Sequence, residues 1–158
     1  MKFGELAKYL ERLEGISSRN AMTVVLAELF KKAAPDDGRI IAYLTQGKLG
    51  PGYASPDLGV ADKMMIKALG YQAGELFKQL GDLGLVAEEI KNQKSKIKTT
   101  NQNLKISEVY EKLLDIASAS GTGSQESKQQ LIGQLMRDLD PLSAKYAVRI
   151  ILGKMRTG

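Results

Sequence analysis

Three short segments of the sequence combine glycine with groups that bind phosphate. Residues 121–125 read Gly-Thr-Gly-Ser-Gln and open a helical pattern, while Gly47-Lys48 and Gly153-Lys154 each follow one. The unpaired N–H groups and the dipole at a helix N-terminus attract phosphate, and glycine lets the backbone come close to it. A lysine beside a terminal glycine adds a compact positive charge. These residue types predict the binding of phosphates rather than bond making.

Each segment also has an ordinary structural interpretation. Glycine is the usual C-terminal cap of a helix, and serine is a common N-cap. Arg149, which lies one turn before the second Gly-Lys pair, could instead pair with Asp138 or Asp140. With the basic residues near these segments included, the predicted phosphate-contacting residues are Gly47, Lys48, Gly121, Gly123, Ser124, Gln125, Lys128, Arg149, Gly153, Lys154 and Arg156.

The composition excludes several classes of enzyme. The 158 residues include no Cys and no His, which rules out disulfides, thiolate or imidazole zinc sites, Cys nucleophiles and Ser-His-Asp triads. Gly81-Asp82-Leu83-Gly84 lacks the Lys-Ser/Thr that follows in a phosphate loop. Five acids lie in separate segments without ligand spacing and predict solvated helix faces: Asp57, Asp62, Asp82, Glu88 and Glu89. We therefore predict no catalytic residue and no metal site.

Positive charge is concentrated in the second half of the chain. Residues 1–90 hold 11 Lys and Arg against 12 Asp and Glu, a net of −1, whereas residues 91–158 hold 12 against 6, a net of +6. This asymmetry favours a polyanion partner, and the alternative is a solvated basic face. Four lysines, predicted in a polar loop, would add diffuse attraction to such a partner: Lys91, Lys94, Lys96 and Lys98.

Hydrophobic periodicity predicts an all-α fold of about nine short helices in a single domain over 1–158. Pro35 predicts the end of the second helix, and Pro141 predicts the first turn of the last one. Ser17 or Ser18, Ser107 and Ser124 predict N-caps, and residues 48–59 predict a loop. The last six helices are predicted at 60–69, 73–80, 83–92, 107–120, 124–139 and 141–153. Four tyrosines at helical spacing are predicted in the core: Tyr43, Tyr71, Tyr110 and Tyr146.

The sequence also predicts an internal repeat. Residues 1–52 overlie 107–158 without a gap, with 8 identities in 52 positions. The matches fall on helix breaks and caps, including Pro35 on Pro141 and the first Gly-Lys pair on the second. Two such units can present equivalent helix ends to the two strands of a duplex, which has its own approximate two-fold symmetry. The repeat predicts equal contributions from Lys48 and Lys154.

Four segments, in this order and spacing, resemble the N-terminal DNA-binding domain of archaeal and eukaryotic ATP-dependent DNA ligases. They are residues 41–50, 58–68, 121–125 and 144–158. The resemblance covers essentially the whole chain. It implies an all-helical domain with internal pseudo-symmetry that grips nicked duplex DNA from the minor-groove side.

The same resemblance implies that the chemistry lies elsewhere in a longer enzyme. In that family a Lys-x-Asp-Gly lysine in the next domain receives AMP from ATP, and this motif is absent from the 158 residues. The chain would then be inactive alone, with ATP and Mg as cofactors of the parent enzyme and none in this domain. Implied partners are nicked duplex DNA, the catalytic domains of the same polypeptide and a sliding clamp, in replication, repair and recombination.

Two further expectations concern location and the rival function. No stretch reaches the ~20 apolar residues of a membrane helix, so a cytoplasmic protein, associated with the nucleoid in a prokaryote, is expected. The alternative function is a helical protein-interaction module with a basic surface, which would show no salt-dependent affinity for DNA.

Overall fold

The described part of the chain, residues 1–94 and 104–155 of a computed structural model, is all-α. Its nine helices are α1 (Phe3–Glu14), α2 (Arg19–Lys32), α3 (Pro35–Leu44), α4 (Asp62–Leu69), α5 (Ala73–Leu80), α6 (Leu83–Gln93), α7 (Ile106–Ser118), α8 (Ser124–Asp138) and α9 (Pro141–Leu152). The predicted fold class is confirmed. Within these residues no helix is both long enough and apolar enough to cross a bilayer.

Proline and side-chain caps set several helix starts as the sequence indicates. Pro35 and Pro141 each occupy the first turn, and Ser18 accepts a hydrogen bond from the Ala21 N–H. Two predicted caps are wrong. Ser124 is the first residue of α8, because Gly123 in the left-handed conformation takes the cap position. α7 begins at Ile106, before Ser107, because the Glu108 carboxylate accepts from the Lys105 N–H at 3.2 Å.

A reciprocal pair of backbone hydrogen bonds joins the starts of α1 and α7. The Phe3 N–H donates to the Leu104 carbonyl at 2.8 Å, and the Ile106 N–H donates to the Met1 carbonyl at 2.9 Å. Each helix then packs on its successor and on the third helix of the other unit: α1 on α2 and α9, α7 on α8 and α3. Phe3 and Ile106, at the centre of this arrangement, are fully buried.

The correspondence between the units is closer at their ends than at their starts. α3 and α9 begin at residues 35 and 141, an offset of 106, as the ungapped repeat predicts. α2 and α8 begin at 19 and 124, an offset of 105, and α1 and α7 at 3 and 106, an offset of 103. The two units therefore differ by one to three residues in the lengths of their helices and connections, and the mismatch grows toward the start of each unit. The internal repeat itself stays a prediction.

Helices α4, α5 and α6 separate the units in sequence and pack mainly on the second. α4 lies on α8, and α6 lies on α9. The α6–α9 approach depends on Gly84, where a Cβ atom would lie 2.9 Å from the Lys145 carbonyl oxygen. α9 is therefore buried at every residue from 143 to 151. In the first unit, α2 leaves Val24 67% and Phe30 40% exposed.

The tyrosines divide between core and surface. Tyr146 is buried, and half-buried Tyr110 donates its hydroxyl to the Leu49 carbonyl at 2.6 Å. Half-buried Tyr43 lies on α3. The prediction that Tyr71 belongs to the core is wrong. Tyr71 lies in the turn between α4 and α5 and is 95% exposed.

Candidate nucleic-acid interface

The two Gly-Lys turns have the same backbone geometry. In each, the lysine N–H donates to the carbonyl five positions earlier, at 3.0 Å in the first turn and 2.9 Å in the second. The glycine N–H donates three positions back, at 2.9 and 3.1 Å. Gly47 and Gly153 have φ values of 69° and 67°, which glycine adopts without the strain that a Cβ atom causes. Gly153 is the C-cap of α9, as the capping interpretation predicts, whereas Gly47 lies two residues beyond Thr45, the C-cap of α3.

The fold places these two turns side by side. A Cβ atom on Gly47 would lie 3.8 Å from the Gly153 Cα and 3.1 Å from Cγ of Met155. The turns and the loop from Ser55 to Val60 line a shallow groove of about 260 Å³. Residues more than a hundred positions apart in sequence thus meet on one surface.

The two lysines of these turns differ in their ionic surroundings. Lys154 Nζ donates to both carboxylate oxygens of Asp62, at 2.8 and 3.0 Å, and its side chain is 62% exposed. Lys48 is exposed and has no ion-pair partner within residues 1–94 and 104–155. Asp62 is the first residue of α4, so the inserted helices neutralise the second turn only.

The N-terminus of α8 presents backbone donors. Gly121 and Gly123 have φ values of 84° and 79°, and both are exposed. The N–H groups of Gln125 and Glu126 have no hydrogen-bond partner in the described part of the chain, and no side chain caps the helix. Such donors can bind a phosphate oxygen. The Glu126 carboxylate, in the first turn, opposes an anion there.

Lys128 does not face solvent. It is 7% exposed, and its Nζ donates to the Leu58 carbonyl at 2.6 Å. A Cβ atom on Gly59 would lie 3.1 Å from that Nζ. Since its ammonium already has a buried acceptor, the prediction of a direct phosphate contact is corrected. Lys128 instead fastens the loop at Leu58 and Gly59 to α8, and this loop also lines the groove between the turns.

Arg149 is also interior. It is 2% exposed, and its guanidinium donates to Glu14 at 2.9 Å and to Asp82 at 3.1 Å. The predicted alternatives, Asp138 and Asp140, are not its partners among these ion pairs. A buried guanidinium held by two carboxylates is not available to a phosphate, so we withdraw Arg149 from the interface. It joins the ends of α1, α6 and α9.

Glu14 lies at the centre of this buried ion cluster. Burial alone would raise its pKa, but hydrogen bonds from Tyr146 and Arg149, with the nearby Lys145 ammonium, hold the pKa of Glu14 below its ordinary value. For Arg149, burial alone would lower the pKa, and the bonds to Glu14 and Asp82 raise it instead. The cluster is therefore charged at neutral pH and fixes the end of α9 that carries the second turn.

The family model for the DNA ligase N terminus matches residues 2–158. The chain belongs to this family. A DNA ligase of Staphylothermus marinus is 40% identical over 177 residues, and one of Sulfolobus acidocaldarius is 40% identical over 173 residues. A probable DNA ligase of Dictyoglomus thermophilum is 37% identical over 166 residues. Each alignment covers 100% of this chain and 27–30% of the relative.

For this DNA ligase N-terminal chain, the structure brings together some of the predicted site residues and separates others. The two Gly-Lys turns meet, and Lys128 connects the α8 N-terminus to the groove beside them. Arg149 lies in the interior, and Arg156, Lys96 and Lys98 fall outside the described residues. Within residues 1–94 and 104–155, no group of three or more Asp or Glu side chains is placed to hold a metal ion.

Sequence reasoning missed Asp62 as part of this surface of the ligase N-terminal chain. It was interpreted as a solvated acid, yet it pairs with Lys154 from 92 positions away. The sequence predicts a loop that includes Leu58 and Gly59, but no local signal shows that this loop lies beside the two Gly-Lys turns.

Proposed function

We propose that this chain is the non-catalytic DNA-binding domain of an ATP-dependent DNA ligase. It binds nicked duplex DNA through backbone phosphates, from the minor-groove side. One observation carries the proposal: two Gly-Lys turns with matching hydrogen bonds lie side by side on one surface. Binding without sequence choice needs phosphate contacts and close backbone approach, and both are available here.

The arrangement of the turns suits a duplex. The two antiparallel strands of DNA are related by an approximate two-fold axis. The helix contacts have a similar reciprocal pattern, because α1 packs on the third helix of the second unit, α9, and α7 packs on the third helix of the first, α3. Each turn, led by Lys48 or Lys154, would then approach the phosphates of a different strand. The exposed amides at the start of α8 would add a further phosphate contact.

The role of the domain is affinity and positioning. The parent enzyme would supply ATP, Mg and the nucleophilic lysine from a catalytic domain of the same polypeptide. Holding the duplex next to that domain raises its effective concentration, which increases the rate without a catalytic residue here. Replication and repair are the processes in which nicks arise. We do not extend the proposal to a sliding clamp.

The test is the salt dependence of binding to nicked and intact duplexes. If about five phosphates are contacted, log affinity should fall against log salt with a slope of about −4 to −5. A flat response would contradict the proposal and favour the protein-interaction module. In parallel, the chain should not become labelled by radioactive ATP, and a covalent AMP adduct on any of its lysines would contradict its non-catalytic role.

A further inference from the structure

Tyr53 projects from the loop between α3 and α4, and its side chain is 93% exposed. The loop itself is held firmly. The Leu49 N–H donates to Ser55 Oγ at 3.1 Å, and the Ala54 N–H donates to the Pro51 carbonyl at 2.8 Å. The protein therefore holds an aromatic ring in water on an ordered turn, where the ring adds little to the core.

The loop has little room to collapse over the ring. Gly50 is buried, and a Cβ atom there would lie 3.4 Å from the Ala54 carbonyl oxygen. The Tyr110 hydroxyl also donates to the Leu49 carbonyl at 2.6 Å, which ties the loop to α7. These contacts fix the position of the loop that carries Tyr53 relative to α7.

This ring lies beside the unneutralised lysine of the first turn. A Cβ atom on Gly52 would lie 3.2 Å from Lys48 Nζ, so the ammonium sits against the residue that precedes Tyr53. A cation that can meet a phosphate and an exposed ring thus adjoin at the edge of the groove. Proteins that bind single-stranded nucleic acids without sequence preference combine these two elements, a positive charge for the backbone and an aromatic ring.

We propose that Tyr53 is a DNA-contacting residue, packing its ring against the deoxyribose and base edges of the groove beside the phosphate that Lys48 binds. The inference rests on the proposed function and adds a contact of a different physical kind. Every nucleotide of a duplex presents a deoxyribose with apolar C–H groups, so a contact with the sugar is independent of sequence. The phenol hydroxyl can also donate to the acceptors of the minor groove.

Salt distinguishes the two kinds of contact. A lysine on a phosphate releases a counterion, so Lys48→Ala should make the log–log salt slope shallower by about one. A tyrosine releases none. Tyr53→Ala should therefore weaken binding by about the same factor at every salt concentration, roughly fivefold, and leave the slope unchanged.

Tyr71 provides a matched control, because it is 95% exposed on a different loop. The sequence contains no Trp, so Tyr53→Trp and Tyr71→Trp each create a single fluorescent reporter. On addition of duplex DNA, we expect the emission of the Tyr53→Trp variant to change and that of the Tyr71→Trp variant to stay constant. Tyr71→Ala should bind as the unaltered chain does.

Labelled DNA, followed by anisotropy, separates failure of the inference from failure of the proposed function. If DNA binds with a steep salt slope while Tyr53→Ala has no effect, or while both alanine variants weaken binding equally, the role of Tyr53 is wrong and the proposed function stands. If the unaltered chain shows no salt-dependent binding, both are wrong. Unchanged melting temperatures for the four tyrosine variants and for Lys48→Ala confirm that folding is not the cause.

Discussion

The two Gly-Lys turns have the same backbone conformation but differ in the ion pairing of their lysines. Both close a helix with the same pair of hydrogen bonds, but Lys154 is bound by Asp62 whereas Lys48 has no ion-pair partner in the described residues. The first turn ends a half-buried helix, and the second ends a helix fixed by a buried ion cluster. The same backbone conformation thus occurs with different ionic surroundings, so we expect unequal contributions from the two lysines rather than the equal ones that the repeat predicts.

The largest expected difference is in the stability of the helices that precede the two turns, α3 and α9. Arg149, whose carbonyl accepts the second turn's hydrogen bond, is buried with two carboxylates, and Tyr43 has the equivalent place in the first. Arg149→Ala leaves Glu14 and Asp82 without their buried partner and should lower the free energy of unfolding by about 3 kcal/mol or more. Tyr43→Ala should lower it by about 1 kcal/mol. Urea unfolding measures both, and equal losses would contradict the comparison.

The glycines should also differ. Gly47→Ala places a methyl group 3.1 Å from Met155 and strains a φ of 69°, so it should lower stability by about 2 kcal/mol. At Gly153 nothing lies within 4 Å of an added Cβ, and only the strain of the positive φ remains, about 1 kcal/mol. Thermal melting of the two variants checks the order. A larger loss for Gly153→Ala would show that the turns do not touch as described.

Binding should show the electrostatic difference. Lys48→Ala removes an unneutralised charge and should weaken duplex binding by about 1 kcal/mol, with a salt slope shallower by about one. Lys154→Ala should have a smaller effect on the slope, because Asp62 competes with phosphate for that lysine. Titration of labelled duplex at several salt concentrations measures both. A larger change of slope for Lys154→Ala would reverse the assignment.

Asp62→Asn sharpens the same comparison, because it releases Lys154 without removing it. We expect tighter duplex binding, by up to about 1 kcal/mol, and a steeper salt slope. Asp36→Asn makes the same change of net charge in the first turn of α3, at the end of that helix away from the Gly-Lys turn. If Asp36→Asn tightens binding equally, the gain comes from net charge rather than from Lys154.

The smallest expected effect is on the pH dependence of the free energy of unfolding, through Glu14 in the ion cluster that fixes the end of α9. The folded pKa of Glu14 lies below its ordinary value of 4.5, so the unfolded chain takes up this proton first as the pH falls. The stabilisation is complete above the unfolded pKa and is lost as the pH falls through the folded pKa. Glu14→Gln should flatten stability against pH in that acidic window, measured by urea unfolding. Glu11→Gln, an exposed neighbour on α1, should leave the slope unchanged.

Sequence reasoning predicts the local features of this fold well and its distant pairings poorly. Pro35, Pro141 and the glycines of the two Gly-Lys turns signal their own positions, because their backbone constraints are intrinsic to the residue type. Nothing local distinguishes Lys128, which is buried, from Lys48, which is exposed. That difference depends on a carbonyl 70 positions away.

The ion pairs show the same limit. For Arg149 the sequence offers either a phosphate or the nearby Asp138 or Asp140, but its partners are Glu14 and Asp82, 135 and 67 positions away. Helical spacing limits which neighbours a side chain can reach, yet it carries no information about which other helix packs on that face. The backbone elements of the candidate surface are therefore predictable from the sequence, whereas the ion-pair partners of its side chains are not.

The packing of α1 on α9 has a consequence for folding during synthesis of the chain. Among the nine described helices α1 is synthesised before the others, yet it packs on α9, which ends at Leu152. Closing so long a stretch of chain is entropically costly and slows folding relative to a bundle of neighbouring helices. A nascent chain that stops at α8 would leave α1 without α9, one of the helices on which it packs. These helices should therefore complete their folding on the ribosome only after α9 has emerged.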